Sequence, residues 1–146
     1  MIRTRVLSEV FKKLQGKGVD LTGMLLKPNM ILPGKDSGQK AAAQEVAEAT
    51  IRTLKNTVPT SVPGIVFLSG GQTPEQATEY LNEMNKTEGL PWQLSFSFGR
   101  ALQDPVLKSW NGRPENVAVA QKAFLKRAKL NSLARRGQHR LEMENG

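Results

Sequence analysis

Apolar residues recur along the chain at two different periods, and the two periods take turns. Over residues 4–15, Val6, Val10, Phe11 and Leu14 fall at helical spacing, and Gly16 and Gly18 stop the run. Residues 20–27 follow as a short strand. Pro28 and Pro33 bracket a loop that continues through the polar stretch 34–38. A second helix is expected over 41–57, with Val46, Ala49, Thr50 and Leu54 on one side and Pro59 and Pro63 ending it. Gly64-Ile65-Val66-Phe67-Leu68 is a compact β-branched and aromatic run, the pattern of a buried strand. Ser69-Gly70-Gly71 closes it.

Thr73-Pro74-Glu75-Gln76 carries a third helix start. Thr73 suits the N-cap, Pro74 the first helical position, and Gln76 completes a capping box. This helix is expected to reach about Lys86. Residues 92–98 then alternate, with Leu94, Phe96 and Phe98 on one face and Ser95 and Ser97 on the other. Asp104-Pro105 is read as the cap of a short helix to Trp110. Asn111-Gly112 turns the chain, and Pro114 opens a last long helix to about Ala134. The order α, β, α, β, α, β, α, α without a hairpin signal predicts an α/β fold with parallel strands and right-handed crossovers. Three strands in a parallel sheet leave two open edges, which is unusual for a finished domain.

Composition narrows the function. The 146 residues are 38% hydrophobic and 23% charged, with a mean hydropathy of −0.41, as in one soluble globular domain. No apolar run is long enough to span a membrane, and the first residues do not read as a secretory signal. There are no cysteines and one histidine, so disulfides, thiolate chemistry and a His- or Cys-bound zinc are excluded as designs for this chain. No metal and no cofactor are expected. His139 lies in a basic tail and is a poor base for a Ser-His-Asp triad. The net charge of +8 invites nucleic acid, yet the excess is concentrated in Lys122, Lys126, Arg127, Lys129, Arg135, Arg136 and Arg140. These read as the solvated face of one helix plus a tail. No aromatic residue of the Trp or Tyr kind lies among them, so a base-stacking platform is lacking.

Function in parallel α/β folds collects at the carboxyl ends of the strands. Three features lie there. Lys27 ends the first strand, on the face of Gly23 and Leu25. A lysine at the mouth of a packed barrel can be desolvated, and a neutral amine can attack a carbonyl to form a Schiff base. Ser69-Gly70-Gly71-Gln72 leads into the helix capped by Thr73, where backbone N–H groups and the helix dipole suit an anion. Gly99 and Arg100 end the third strand, and Arg100 offers a planar donor fork for phosphate. Each feature alone is also what an ordinary strand end looks like. Together, on adjacent strands, Ser69, Gly70, Gly99 and Arg100 make a phosphate cradle.

The segments Leu25-Leu26-Lys27-Pro28-Asn29-Met30, Phe67-Leu68-Ser69-Gly70-Gly71-Gln72 and Ser95-Phe96-Ser97-Phe98-Gly99-Arg100-Ala101-Leu102 closely resemble class I fructose-bisphosphate aldolase. The resemblance runs over residues 5 to 138 and includes Ala128-Lys129-Leu130-Asn131-Ser132-Leu133-Ala134. It implies part of a (β/α)8 TIM barrel, about the last three β-strands with their helices, over 1–138, with 139–146 as a short polar tail. It implies reversible cleavage of fructose 1,6-bisphosphate to dihydroxyacetone phosphate and glyceraldehyde 3-phosphate, in the cytoplasm, without a metal. Lys27 matches the Schiff-base lysine. Ser69, Gly70, Gly99 and Arg100 match positions that hold the C1 phosphate of the ketose.

The family's aspartate, further lysines and glutamates for proton transfer have no match here, nor does its terminal tyrosine. The only tyrosine is Tyr80, in a helix. The chain therefore resembles the C-terminal part of the family, and little or no turnover is expected of it alone. The sugar phosphate is the expected partner, with a complementary N-terminal half or a homo-oligomer to complete the barrel. A membrane is not expected as a partner, and nucleic acid is disfavoured. The alternative is a non-catalytic fragment that binds phosphate or nucleic acid.

Overall fold

A computed structural model describes residues 2–145. Five α-helices and three β-strands follow one another as α1 (Ile2–Gly16), β1 (Leu25–Leu26), α2 (Ala43–Lys55), β2 (Gly64–Phe67), α3 (Pro74–Asn85), β3 (Gln93–Phe96), α4 (Arg100–Trp110) and α5 (Val117–Ala134). The strands form one parallel sheet in the order β1-β2-β3, with Leu26 beside Ile65 and Ile65 beside Leu94. The expected α/β order and parallel pairing are both present.

The sheet has two unlike faces. Strand alternation puts Leu26, Ile65, Phe67, Leu94 and Phe96 on one side. Ile65, Phe67 and Leu94 are buried there among Val46, Leu54, Leu81 and Met84 of α2 and α3. A side chain of this size buried outright contributes roughly 1.5–3 kcal/mol. The opposite side carries Leu25, Lys27, Gly64 and Val66. Leu25 is 61% exposed, because no element covers that side among the described residues. At Gly64 a Cβ would approach the end of the Leu25 side chain to 2.9 Å, a contact the exposed leucine can relieve by turning away.

Several elements differ from expectation. The first strand is two residues long rather than eight. The Asp20 carboxylate accepts from the Thr22 N–H at 2.9 Å and the Thr22 hydroxyl at 2.7 Å, which curls Leu21–Gly23 into a 3₁₀ turn. In α1, Phe11 is buried, but Val6 and Val10 are exposed, so the helix meets the core along a narrower stripe than its periodicity suggests. Asp104-Pro105 does not cap a helix. α4 begins earlier, at Arg100, with Gly99 as N-cap and Pro105 inside it. Pro114 opens a 3₁₀ turn, Pro114–Asn116, before α5.

The third helix start is as expected. The Gln76 N–H donates to Thr73 Oγ1 and the Thr73 N–H to Gln76 Oε1, both at 3.2 Å. The basic C-terminal run is not one solvated face. Arg127 is buried, and Leu141–Asn145 folds back as a 3₁₀ turn that brings Glu144 to it.

Candidate active site at the carboxyl ends of the strands

The ladder continues past the three strands and brings their ends together. Leu68 N–H donates to the Pro28 carbonyl at 3.1 Å, and Ser97 N–H donates to the Phe67 carbonyl at 2.9 Å. Lys27, the Ser69–Gln72 turn and the Gly99–Arg100 junction therefore sit side by side at one end of the sheet.

Lys27 lies on the uncovered face, the face of Leu25, as alternation requires, and it is exposed rather than desolvated in a packed mouth, because no element among the described residues covers that face. Its ammonium has no ion pair or hydrogen bond among the described residues. The next element is a tight turn. Gln72 N–H donates to the Ser69 carbonyl at 2.9 Å, and the residues between them, Gly70 and Gly71, have φ of 55° and 83°. Two successive positive φ angles suit glycine and turn the chain directly into the N-cap of α3. Ser69 is buried, and its hydroxyl bonds nothing among the described residues. From the neighbouring strand end, Asn29 Nδ2 reaches to 3.5 Å of the position a Gly70 Cβ would take.

The third element is the start of α4. Gly99 has φ −91° and ψ −86° and supplies no side-chain cap; Leu102 and Gln103 N–H donate to its carbonyl at 3.0 Å, and the Arg100 and Ala101 N–H groups meet no acceptor among the described residues. Free N–H groups at a helix start attract an anion, and the macrodipole adds to this. Arg100 is the first helical residue. Its Nη2 lies 3.9 Å from where a Cβ on Gly71 would stand. The Arg100 guanidinium thus sits within ordinary contact range of the glycine turn. Lys27, Ser69, Gly70, Gly99 and Arg100 thus share one end of the sheet. The exposed members keep donors pointing to solvent, and a dianion is the chemistry such a group of donors recognises.

The whole chain, residues 1–146, matches the family model for fructose-bisphosphate aldolase class-I. The chain belongs to the class I fructose-bisphosphate aldolases. It is 51% identical over 146 residues to fructose-bisphosphate aldolase 4, cytosolic, of Arabidopsis thaliana, covering 99% of this chain and 37% of that one. It is 54% identical over 140 residues to the cytoplasmic isozyme of Cicer arietinum, covering 95% and 39%. A solved aldolase of Plasmodium falciparum, in complex with TRAP and a small molecule inhibitor, superposes with a TM-score of 0.92 at 50% identity, covering 95% of this chain and 40% of that one. The chain thus spans about two fifths of the length of the aldolases it matches. The three-stranded sheet is an aldolase substructure; a closed barrel is not part of it.

Two polar groups escaped sequence reasoning. Gln72 belongs to the glycine motif, yet pattern alone assigned it nothing. Its Oε1 is buried without a partner, while its backbone closes the turn. The second is the cluster around Arg127. Its guanidinium donates to Glu144, to the Pro74 carbonyl at 2.9 Å and to Thr78. His139 Nε2 lies 3.1 Å from Glu144 Oε1, and the His139 backbone N–H donates to Asn82 Oδ1 at 2.8 Å. His139 is a buried structural residue rather than part of a loose basic tail. No group of three or more His, Cys, Asp or Glu suited to a metal occurs among the described residues. No helix among them is long and apolar enough to cross a membrane.

Proposed function

We propose that this chain carries the imine-forming part of an aldolase site, on three staves of a (β/α)8 barrel. Lys27 is the nucleophile. Ser69, Gly70, Gly99 and Arg100 hold the C1 phosphate of fructose 1,6-bisphosphate or dihydroxyacetone phosphate. The observation that carries this reading is a lysine on an uncovered sheet face beside a glycine turn with an arginine next to it, all at the same ends of adjacent parallel strands.

The chemistry follows from the amine. Lys27 Nζ adds to the C2 ketone, and loss of water gives an iminium. Removal of the C4 hydroxyl proton sends the C3–C4 bonding electrons into that iminium, releasing glyceraldehyde 3-phosphate and leaving an enamine. Protonation at C3 and hydrolysis then release dihydroxyacetone phosphate and return the amine. The phosphate cradle fixes C2 over the lysine, which is the orientational part of the rate. No carboxylate of this chain matches the family's proton-transfer positions, and that assistance is worth roughly 10² to 10⁴ in rate. Imine formation without appreciable turnover is therefore expected of the chain alone. In this reading the proton-transfer groups come from outside residues 1–146, across the open edges of β1 and β3. A cytoplasmic location is supported by the cytosolic and cytoplasmic names of its relatives.

Borohydride trapping with dihydroxyacetone phosphate tests the reading, with the adduct placed by intact mass and peptide mapping. A single reduced adduct on Lys27, lost in Lys27→Met, is expected. Adducts scattered over many lysines, or none, would overturn it.

A further inference from the structure

We propose that Glu144 and Arg127 are positioning residues for the phosphate cradle, a role that rests on the assignment of Ser69, Gly70, Gly99 and Arg100 to the C1 phosphate. Neither residue meets the phosphate. They act on it through the first turn of α3.

The glycine turn cannot hold its own shape. Gly70 and Gly71 both take positive φ, and glycine has the widest backbone freedom of any residue. Such a turn presents its N–H groups at one place only if both of its ends are fixed. Otherwise the cost of ordering it is subtracted from affinity. The sheet fixes the first end, where Leu68 N–H donates to the Pro28 carbonyl and the Phe67 carbonyl accepts from Ser97 N–H. The second end is the start of α3. The Thr73–Gln76 capping box closes that start locally, but it ties the helix to no other element.

The tie comes from α5 and the 3₁₀ turn after it. Arg127 Nη2 donates to the Pro74 carbonyl at 2.9 Å and to the Thr78 hydroxyl. Pro74 stands three residues beyond Gly71. From Nη1 the same guanidinium donates to Glu144 Oε2, and Glu144 Oε1 lies 3.1 Å from His139 Nε2. The His139 backbone N–H donates to Asn82 Oδ1, further along α3. One carboxylate therefore joins two anchors of α3, Arg127 near its start and His139 near its end. Arg127 is 4% exposed, and Glu144 is the only carboxylate paired with it among the described residues. A guanidinium buried so deeply needs an anion. Without Glu144 it is driven toward water, away from the Pro74 carbonyl, and the second end of the glycine turn is released.

The test compares two probes on the full chain, dihydroxyacetone phosphate and dihydroxyacetone. Each is trapped by borohydride and quantified at Lys27 by peptide mapping, below the unfolding transition of every variant. Both offer Lys27 the same ketone, and only one offers the cradle a phosphate. The ratio of the two yields is the phosphate advantage. Arg127→Met with Glu144→Met removes the hold on Pro74 and leaves no buried charge behind. Its phosphate advantage is expected to fall about tenfold, since a displacement of about 1 Å in a positioned site costs up to roughly 10² in rate. Trapping of dihydroxyacetone should be unchanged, and the thermal midpoint should lie above that of Glu144→Ala. Glu144→Gln keeps an acceptor for Arg127 and should retain more of the advantage than the double variant. An unchanged advantage in the double variant, or one that follows the thermal midpoint from variant to variant, would overturn the positioning role. Arg100→Gln tests the cradle itself. If the parent shows no phosphate advantage, or Arg100→Gln keeps it, the cradle assignment fails and the positioning role falls with it. If Arg100→Gln loses the advantage and the double variant keeps it, the positioning role alone fails.

Discussion

Two polar regions of this molecule treat their charges in opposite ways. At the carboxyl ends of the strands, Lys27, Gly70, Gly99 and Arg100 are exposed, and neither cation has an ion pair among the described residues. At the C-terminal clasp, Arg127, His139, Thr78 and Asn131 are buried and bonded to one another or to Glu144, Asn82 and Pro74. Among the buried side-chain atoms of the described residues there, Arg127 Nε alone lacks a partner. Burial explains the difference. A charge taken out of water must be paired or it is expelled, whereas a charge at a mouth can wait for a ligand. Donors left without partners at one exposed place are open to a ligand, and a bonded buried cluster belongs to the architecture.

The largest way to break that contrast is at the clasp. Glu144→Ala leaves the buried Arg127 guanidinium without its carboxylate. Removal of one member of a buried pair costs about 3–5 kcal/mol. The lower end is expected here, because Leu141–Asn145 can lift and admit water. Urea denaturation checks it. The double variant Arg127→Met with Glu144→Met should recover part of the loss, because a buried pair can be replaced by apolar side chains at little cost. If Glu144→Ala costs nothing, the clasp is as loosely coupled as the mouth, and the contrast fails.

The mouth was more legible in the sequence than the clasp, and the reason is locality. The Thr73–Gln76 capping box and the paired glycines act within a few residues, so their signals lie in consecutive letters. Lys27 and Arg100 were readable because parallel strands end together, which topology alone guarantees. Arg127 and Glu144 are 17 residues apart, and Arg127 and Thr78 are 49 apart. No periodicity links them, so the basic run read as a solvated face. The α4 start was missed for a related reason. Asp-Pro is a strong local cap signal, but the strand end sets where the chain turns, and the helix begins at Gly99–Arg100 instead. The shortness of β1 follows from Asp20, whose side chain offers the backbone a turn in place of the ladder.

Smaller changes sharpen the comparison at the mouth. Arg100→Gln removes a charged donor that no protein group uses, so fold stability should stay within about 0.5 kcal/mol, as for surface substitutions. Inorganic phosphate binding should weaken by about 1.5–3 kcal/mol, the usual worth of a charged hydrogen bond. Calorimetric titration and thermal melts separate the two effects. Thr73→Ala touches the same region from behind. Loss of the cap should cost about 1 kcal/mol of stability, and it loosens the helix start that anchors the glycine turn. Amide exchange at Gln76 and Ala77 reads this directly.

Tyr80 belongs to neither class, since its ring is buried like the clasp while its hydroxyl bonds no protein group among the described residues, like the mouth. Burial pushes its phenol above the ordinary value of 10.0, and the nearby Glu79 carboxylate adds to the shift. The native state therefore holds its proton to higher pH than the unfolded chain does. Stability should be flat up to the unfolded phenol's pKa and fall as the pH rises from there through the folded one. It is the only tyrosine in the chain, so near-ultraviolet phenolate absorbance reports it alone. A midpoint above 10.0 is expected, and Tyr80→Phe should abolish the signal while leaving stability equal or slightly higher, because no hydrogen bond is lost. A midpoint at or below the ordinary value would mean that water or a donor already reaches the hydroxyl. Tyr80 would then join the mouth as one more open polar group rather than standing between the two regions.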